Sequence, residues 1–193
     1  FIAGMHRMTL AAGIRLAKLS VFSHIEKLLD VAGGSGSLSC AIAAGNSNLH
    51  ATILDLPRVG DIAEANIEAY GLSDRVKVVR GNMFEDTWPG DQDAVLMGNI
   101  FHDWDVESCI KLAQRAFEAI RSGGKFLLHE MVLNETRDGP LSIACFSISM
   151  LLHERGKQYT PGEFTEMLTK AGFEDVVIEP GFGYYSLVCA TRP

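Results

Sequence analysis

No segment of this chain approaches the ~18 uninterrupted apolar residues that a membrane-spanning helix requires, so a membrane span is not expected. Dense basic runs are missing too. Lys and Arg number 17 against 24 Asp and Glu, for a net charge of -7. Nucleic acid is therefore not an expected partner, because neutralising phosphates takes clustered Lys and Arg. Cysteine is scarce: Cys40, Cys109, Cys145 and Cys189 lie far apart and form neither a CxxC metal pattern nor a disulfide framework. A reducing, cytoplasmic setting follows as the expectation. Internal repeats and low-complexity segments are absent as well.

What is present is a globular composition, 47% hydrophobic and 21% charged, over 193 residues. That length suits one compact domain and is short for two ordinary ones. The opening "FIAGMHRMTLAAGIRLAKL" has no initiator Met and is interrupted by Arg7, Arg15 and Lys18. It reads as an amphipathic helix inside a longer polypeptide, a leading helical segment over 1–25, rather than as a signal peptide.

From residue 26 onward, short apolar runs alternate with helical patterns, the mark of an α/β sheet with crossover helices. Strands are predicted over 27–32, 50–55, 76–81, 93–98 and 125–130. Pro57 suits the first turn of a helix whose face is read as Val59, Ile62, Ala65 and Ala69, with Gly71 as its stop. Asp105 is placed to cap the next helix, with Ile110, Ala113, Phe117 and Ile120 on one face and Gly123-Gly124 at its end. The tail "FEDVVIEPGFGYYSLVCATRP" reads as an antiparallel hairpin turned by Pro180-Gly181 and Gly183.

In "LLDVAGGSGSLSCAIA", Asp30 ends the first strand and Gly33, Gly34 and Gly36 lead into a helix. Glycines there permit positive φ and let a ligand approach the backbone at the helix N-terminus. Asp55 ends the second strand, where a carboxylate can accept hydrogen bonds from ribose hydroxyls. Together they indicate an adenosine-bearing cofactor. A pyrophosphate reader wants G-x-G-x-x-G, and Ser39 stands where the third small residue belongs. S-adenosyl-L-methionine carries no phosphate and does not need it. Asn82, after the third strand, offers an amide to an adenine edge, and Met83 offers a soft apolar surface.

In open α/β sheets the ligand lies outside the carboxyl ends of the strands. His102 follows the fourth strand and Glu130 ends the fifth, a candidate base with a carboxylate to orient it. Methyl transfer from a sulfonium is an in-line displacement, in which the protein aims a nucleophile and removes its proton. Further on, Phe146, Met150 and His153 are candidates for an acceptor pocket, and Gln158 for a second polar group beside His102. No compact ligand spacing supports a metal.

These residues resemble the S-adenosylmethionine-dependent O-methyltransferases of the caffeic acid and acetylserotonin type. "DVAGGSG" resembles the family's DVGGGTG, "LDLPRV" its FDLPxV, "GNMF" its GDMF, "HDW" its HDW, "SGGKFLLHE" its xGGKxxxxE and "RGKQYT" its GKERT, while "FIAGM" looks like the F-x-x-A-M stretch that opens the catalytic domain. The resemblance implies a Rossmann-like class I methyltransferase fold, a mostly parallel seven-stranded sheet with helices on both faces and a C-terminal antiparallel hairpin. It carries His102 over as general base, Glu130 as its flanking acid, and Ala32, Gly34, Gly36, Asp55, Leu56, Asn82 and Met83 as cofactor contacts. It implies no metal, a small-molecule acceptor, S-adenosyl-L-homocysteine as product, and a homodimer formed through an N-terminal helical domain. Ala32 stands in place of a family glycine, Asn82 of an aspartate, Gly98 of a lysine common in plant members, and Gln158 of a second glutamate around the base. Methylation of sulfur or carbon is the alternative on the same scaffold; a nicotinamide oxidoreductase and a non-catalytic cofactor-binding domain are the competing classes.

Overall fold

The computed structural model describes residues 2–193, with side chains from Gly4 onward; Phe1 of the "FIAGM" stretch lies outside the described residues. Thirteen regular elements follow in order: α1 (Ile2–Leu16), β1 (Lys27–Val31), α2 (Ser37–Gly45), β2 (His50–Asp55), α3 (Pro57–Ala69), β3 (Val76–Arg80), β4 (Gln92–Gly98), α4 (Val106–Ala119), β5 (Ile120–Met131), α5 (Leu141–His153), α6 (Pro161–Lys170), β6 (Glu174–Pro180) and β7 (Tyr185–Thr191). The strands form one seven-stranded sheet in the order β3-β2-β1-β4-β5-β7-β6. Two compact units divide the chain, one up to Leu96 and one from Met97 to Pro193.

In the first unit, β1 pairs in parallel with β2 on one side and with β4 on the other, and β2 pairs in parallel with β3. Leu28, Leu29 and Val31 of β1 are wholly buried, as befits a central parallel strand covered on both faces. α3 starts at Pro57, as expected, but it buries Gly60, Ala63 and Ile67. Ile62, assigned to the inner face from hydropathy, is exposed, and so are Ala65 and Ala69. The reason is close approach: a Cβ at Gly60 would lie 3.1 Å from Val78 of β3, so the smallest residue marks the contact.

The second unit carries the antiparallel part, with β7 between β5 and β6. The hairpin turns where expected, with the Gly181 N–H donating to the Tyr185 carbonyl at 2.8 Å and Gly183 at φ 63°. Asp105 caps α4 by accepting from the Ser108 N–H at 2.9 Å. Two expectations for α4 need correction. Its buried face is Cys109, Leu112, Ala113, Ala116 and Ala119, leaving Ile110 and Phe117 at the margin. It also ends at Ala119, before the glycine pair, because Ile120 already has extended backbone and belongs to β5. Phe101, Phe126, Phe164 and Phe173 fill the core beneath. α5 is apolar yet poorly covered: only Ile143 and Ser147 are buried, while Leu141 and Leu152 are 77% and 75% exposed.

Candidate active site

The first unit shapes a turn at the carboxyl end of β1. Ala32, Gly34 and Gly36 have φ of 55°, 62° and 75°, all in the left-handed region, and Gly36 is the N-cap of α2. Ala32 holds without a glycine's freedom the conformation for which the related motif uses glycine. Gly33 is fixed by space, since a Cβ there would sit 2.7 Å from the Asp30 carboxyl. Asp55 ties the turn together: Oδ2 accepts from the Gly34 N–H at 2.8 Å and Oδ1 from the Leu56 N–H at 2.7 Å. Burial pushes the Asp55 carboxyl up, and those two hydrogen bonds oppose the shift. Leu56 itself is half exposed at the start of α3.

Asp30 is fully buried. Its Oδ2 accepts from the Ser39 hydroxyl at 2.6 Å, while Oδ1 has no partner among the described residues. Burial raises it to about 7, against the Ser39 hydrogen bond and with help from Asp55. Asn82 makes a turn after β3, its Oδ1 accepting from the Phe84 N–H, and the Met83 carbonyl accepts from the Trp88 indole. Two side chains absent from the sequence reading brace the turn. His6 bonds the Ser35 hydroxyl at 2.9 Å and the Tyr70 hydroxyl at 2.8 Å, and Thr9 bonds Ser37.

The second unit assembles around Glu130, which is 1% exposed on β5. Its Oε1 accepts from the backbone N–H groups of Ile100 and Phe101, both at 2.8 Å, and its Oε2 faces His102 Nδ1 at 2.8 Å. One carboxylate thus shapes the loop after β4 and orients the imidazole it carries. The other ring nitrogen, Nε2, meets Asp103 Oδ1 at 3.2 Å. Burial alone lowers His102, but Glu130 and Asp103 outweigh it and raise the ring to about 10.

The segment after α5 runs against this loop. A Cβ on Gly156 would fall 2.2 Å from the His102 carbonyl oxygen and 2.6 Å from the Trp104 nitrogen, so only glycine fits. The Arg155 N–H donates to the Asp103 carbonyl, and the Tyr159 hydroxyl to the Trp104 carbonyl at 2.6 Å. Gln158 follows, 1% exposed, its N–H donating to Ser147 Oγ while neither atom of its amide has a partner among the described residues. Phe146 of α5 meets the His102 ring edge-on at 5.9 Å. Met150 lies one turn further along, half-buried, and His153 is exposed with its ring bonded to the Ser149 carbonyl. His129 stacks on Tyr185 at 4.5 Å, both ring nitrogens without a partner among the described residues, and burial lowers it to about 4. Among the described residues no group of three or more His, Cys, Asp or Glu is placed to hold a metal ion, and no helix is long and apolar enough to cross a membrane.

A family model for an O-methyltransferase domain matches residues 1–174. The chain belongs to the O-methyltransferase family. Its relatives include the 3-hydroxy-5-methyl-1-naphthoate 3-O-methyltransferase of Streptomyces sahachiroi, 31% identical over 91% of this chain and 51% of that protein. The acetylserotonin O-methyltransferase of Bos taurus is 30% identical over 100% of this chain and 55% of that protein. A third, the L-tyrosine C(3)-methyltransferase of Streptomyces lavendulae, is 32% identical over 94% and 51%. Among solved structures, an O-methyltransferase from neocarzinostatin biosynthesis, in complex with S-adenosylmethionine and 2-hydroxy-5-methyl naphthoic acid, is 28% identical with a TM-score of 0.89, covering 100% of this chain and 57% of that one. The family drawn from the motifs and the class I methyltransferase fold are both met. This O-methyltransferase chain spans about half the length of the curated relatives it matches.

Proposed function

We propose that residues 1–193 act as a catalytic domain that transfers a methyl group from S-adenosyl-L-methionine to a hydroxyl of a small-molecule acceptor, with His102 as general base. The observation that carries this reading is the buried pair of His102 Nδ1 and Glu130 Oε2 at 2.8 Å, on a loop that Glu130 also holds by two backbone N–H groups. A base held by a third group in this way is the arrangement proton abstraction needs. The donor is assigned to Ala32, Gly34, Gly36, Asp55, Leu56, Asn82 and Met83, and the unpartnered Oδ1 of Asp30 suits a positively charged ligand. When bound, the donor supplies an electrophilic methyl group and leaves as S-adenosyl-L-homocysteine. Phe146, Met150, His153 and Gln158 are assigned to the acceptor, with Gln158 contributing a buried amide neither atom of which has a partner among the described residues. The reading extends to a homodimer formed through the family's N-terminal helical domain and to a cytoplasmic setting, for which the four free cysteines speak.

The pH dependence has a definite sign. His102 accepts a proton only when neutral, and with the ring raised to about 10 the neutral fraction grows tenfold per pH unit below that value. Turnover of a phenolic acceptor is expected to rise steadily from pH 7 toward 10. Calorimetry should show S-adenosyl-L-homocysteine binding and none for NAD or NADP, and His102→Ala should nearly abolish phenol methylation. Phenol turnover that survives His102→Ala removes the base assignment. Carbon methylation remains a second reading, favoured by the similarity to the L-tyrosine C(3)-methyltransferase; product analysis by mass spectrometry and NMR separates the two.

A further inference from the structure

Both nitrogens of the His102 ring face carboxylates, and the two contacts are unlike. Glu130, on Nδ1, is 1% exposed and held by three donors, so it has no freedom to leave. Asp103, on Nε2, contributes a side chain 36% exposed, at 3.2 Å, from the end of the same short turn, Phe101–Asp103, that carries His102. A carboxylate thus stands at the nitrogen that a substrate would have to reach, while Gln158 offers none.

We propose that Asp103 is a positioning residue that covers His102 Nε2 in the resting protein, and that the acceptor hydroxyl must displace it before His102 can take a proton. The proposal rests on the reading of His102 as the base. Displacement does two things together: it frees the Nε2 edge, and it removes one of the two negative charges that keep the ring protonated. The base is therefore switched on by the molecule it acts upon. In the transfer, the acceptor O–H bond breaks with its proton passing to Nε2, the oxygen forms a bond to the methyl carbon, and the carbon–sulfur bond breaks with its electron pair staying on sulfur. Net positive charge moves from the sulfonium to the imidazole. Asp103, returning as the ether leaves, covers the protonated Nε2 again, and the ring gives its proton to solvent once that edge is next uncovered.

The other charged groups around the ring do not supply this cover. Phe146 is the contact from α5 and carries no charge. Asp105 on the α4 side is paired with Arg155. The Cys109 thiol is pushed well up by burial and stays neutral, as does the Tyr159 hydroxyl, which donates to the Trp104 carbonyl. From the sheet, Tyr185 is likewise raised by burial, and His129, lowered to about 4, stays neutral.

The test uses the full-length protein and its Asp103→Asn and Asp103→Ala variants. The His102 ring is titrated by NMR without acceptor, and kcat/KM is measured against pH with acetylserotonin and 2-hydroxy-5-methyl naphthoic acid as probe acceptors. Both variants are expected to titrate at least one pH unit lower than the parent. With either probe that is turned over, the acidic limb of the profile moves down by the same amount. An unchanged ring titration in both variants overturns the proposal whether or not a probe is turned over. A lowered titration with an unmoved acidic limb also overturns it. Neither outcome touches the base reading, which fails separately if His102→Ala leaves phenol turnover intact.

Discussion

Each unit buries a carboxylate toward the carboxyl end of a strand, and the two are treated oppositely. Asp30 on β1 has one oxygen satisfied by Ser39 and the other by nothing among the described residues. Glu130 on β5 has two backbone donors on one oxygen and an imidazole on the other. A buried polar group without a partner costs about 1–3 kcal/mol, and more when charged. Asp30 is accordingly pushed toward its neutral form, while Glu130 organises the loop around it. The first keeps an unsatisfied oxygen among the described residues; the second has a partner on each oxygen.

Breaking the complete one should do the most damage. Glu130→Ala strands two backbone N–H groups and the His102 ring, and removing one member of such a buried pair costs about 3–5 kcal/mol. A fall in Tm of about 10 °C is expected by calorimetry. Next, Gly156→Ala forces a Cβ into the His102 carbonyl. It should lower kcat/KM by about 100-fold, the scale of a misplaced catalytic group, while S-adenosyl-L-homocysteine affinity changes little. Equal loss of both would show that the two halves of the chemistry are not separable.

Asp30→Asn sharpens the contrast from the other side. The folded-state value of Asp30, about 7, lies above its ordinary 3.8. Its contribution to stability is therefore full below pH 3.8 and lost as pH rises through about 7. The Asn variant should be more stable than the parent at pH 8 and not at pH 4, with S-adenosyl-L-homocysteine binding weakened about tenfold, near 1.4 kcal/mol. The smallest effect belongs to Gln158→Leu, which removes a buried amide with no partner. It should gain about 1 kcal/mol in denaturant melts and lose turnover; unchanged turnover would separate Gln158 from the acceptor.

The same contrast governs what could be read from the residues alone. The glycine turn, Asp55, the Pro57 start of α3 and the closing hairpin are local, each written within a few neighbouring positions. The α3 face departs from the hydropathy reading because Gly60 packs tightly against β3 and has no hydropathy to announce it. The α4 face departs from the hydropathy reading because three alanines, a cysteine and a leucine turn inward while Ile110 and Phe117 stay at the margin. Glu130 and His102 pair from strand ends, but the two backbone N–H groups on Glu130, the Gly156 seat and the His6 brace on Ser35 depend on how distant segments meet. No spacing within one sequence encodes those meetings.

The pairing of β1 has a consequence for synthesis. Leu28 lies opposite Ala51 on one side and Ala94 on the other. A ribosome delivering this chain from its N-terminus releases the glycine turn long before the second edge of β1 has a partner, and long-range closure of that kind is slow. Until β4 emerges, β1, buried at four of its five residues in the folded protein, is a nascent segment with one open edge.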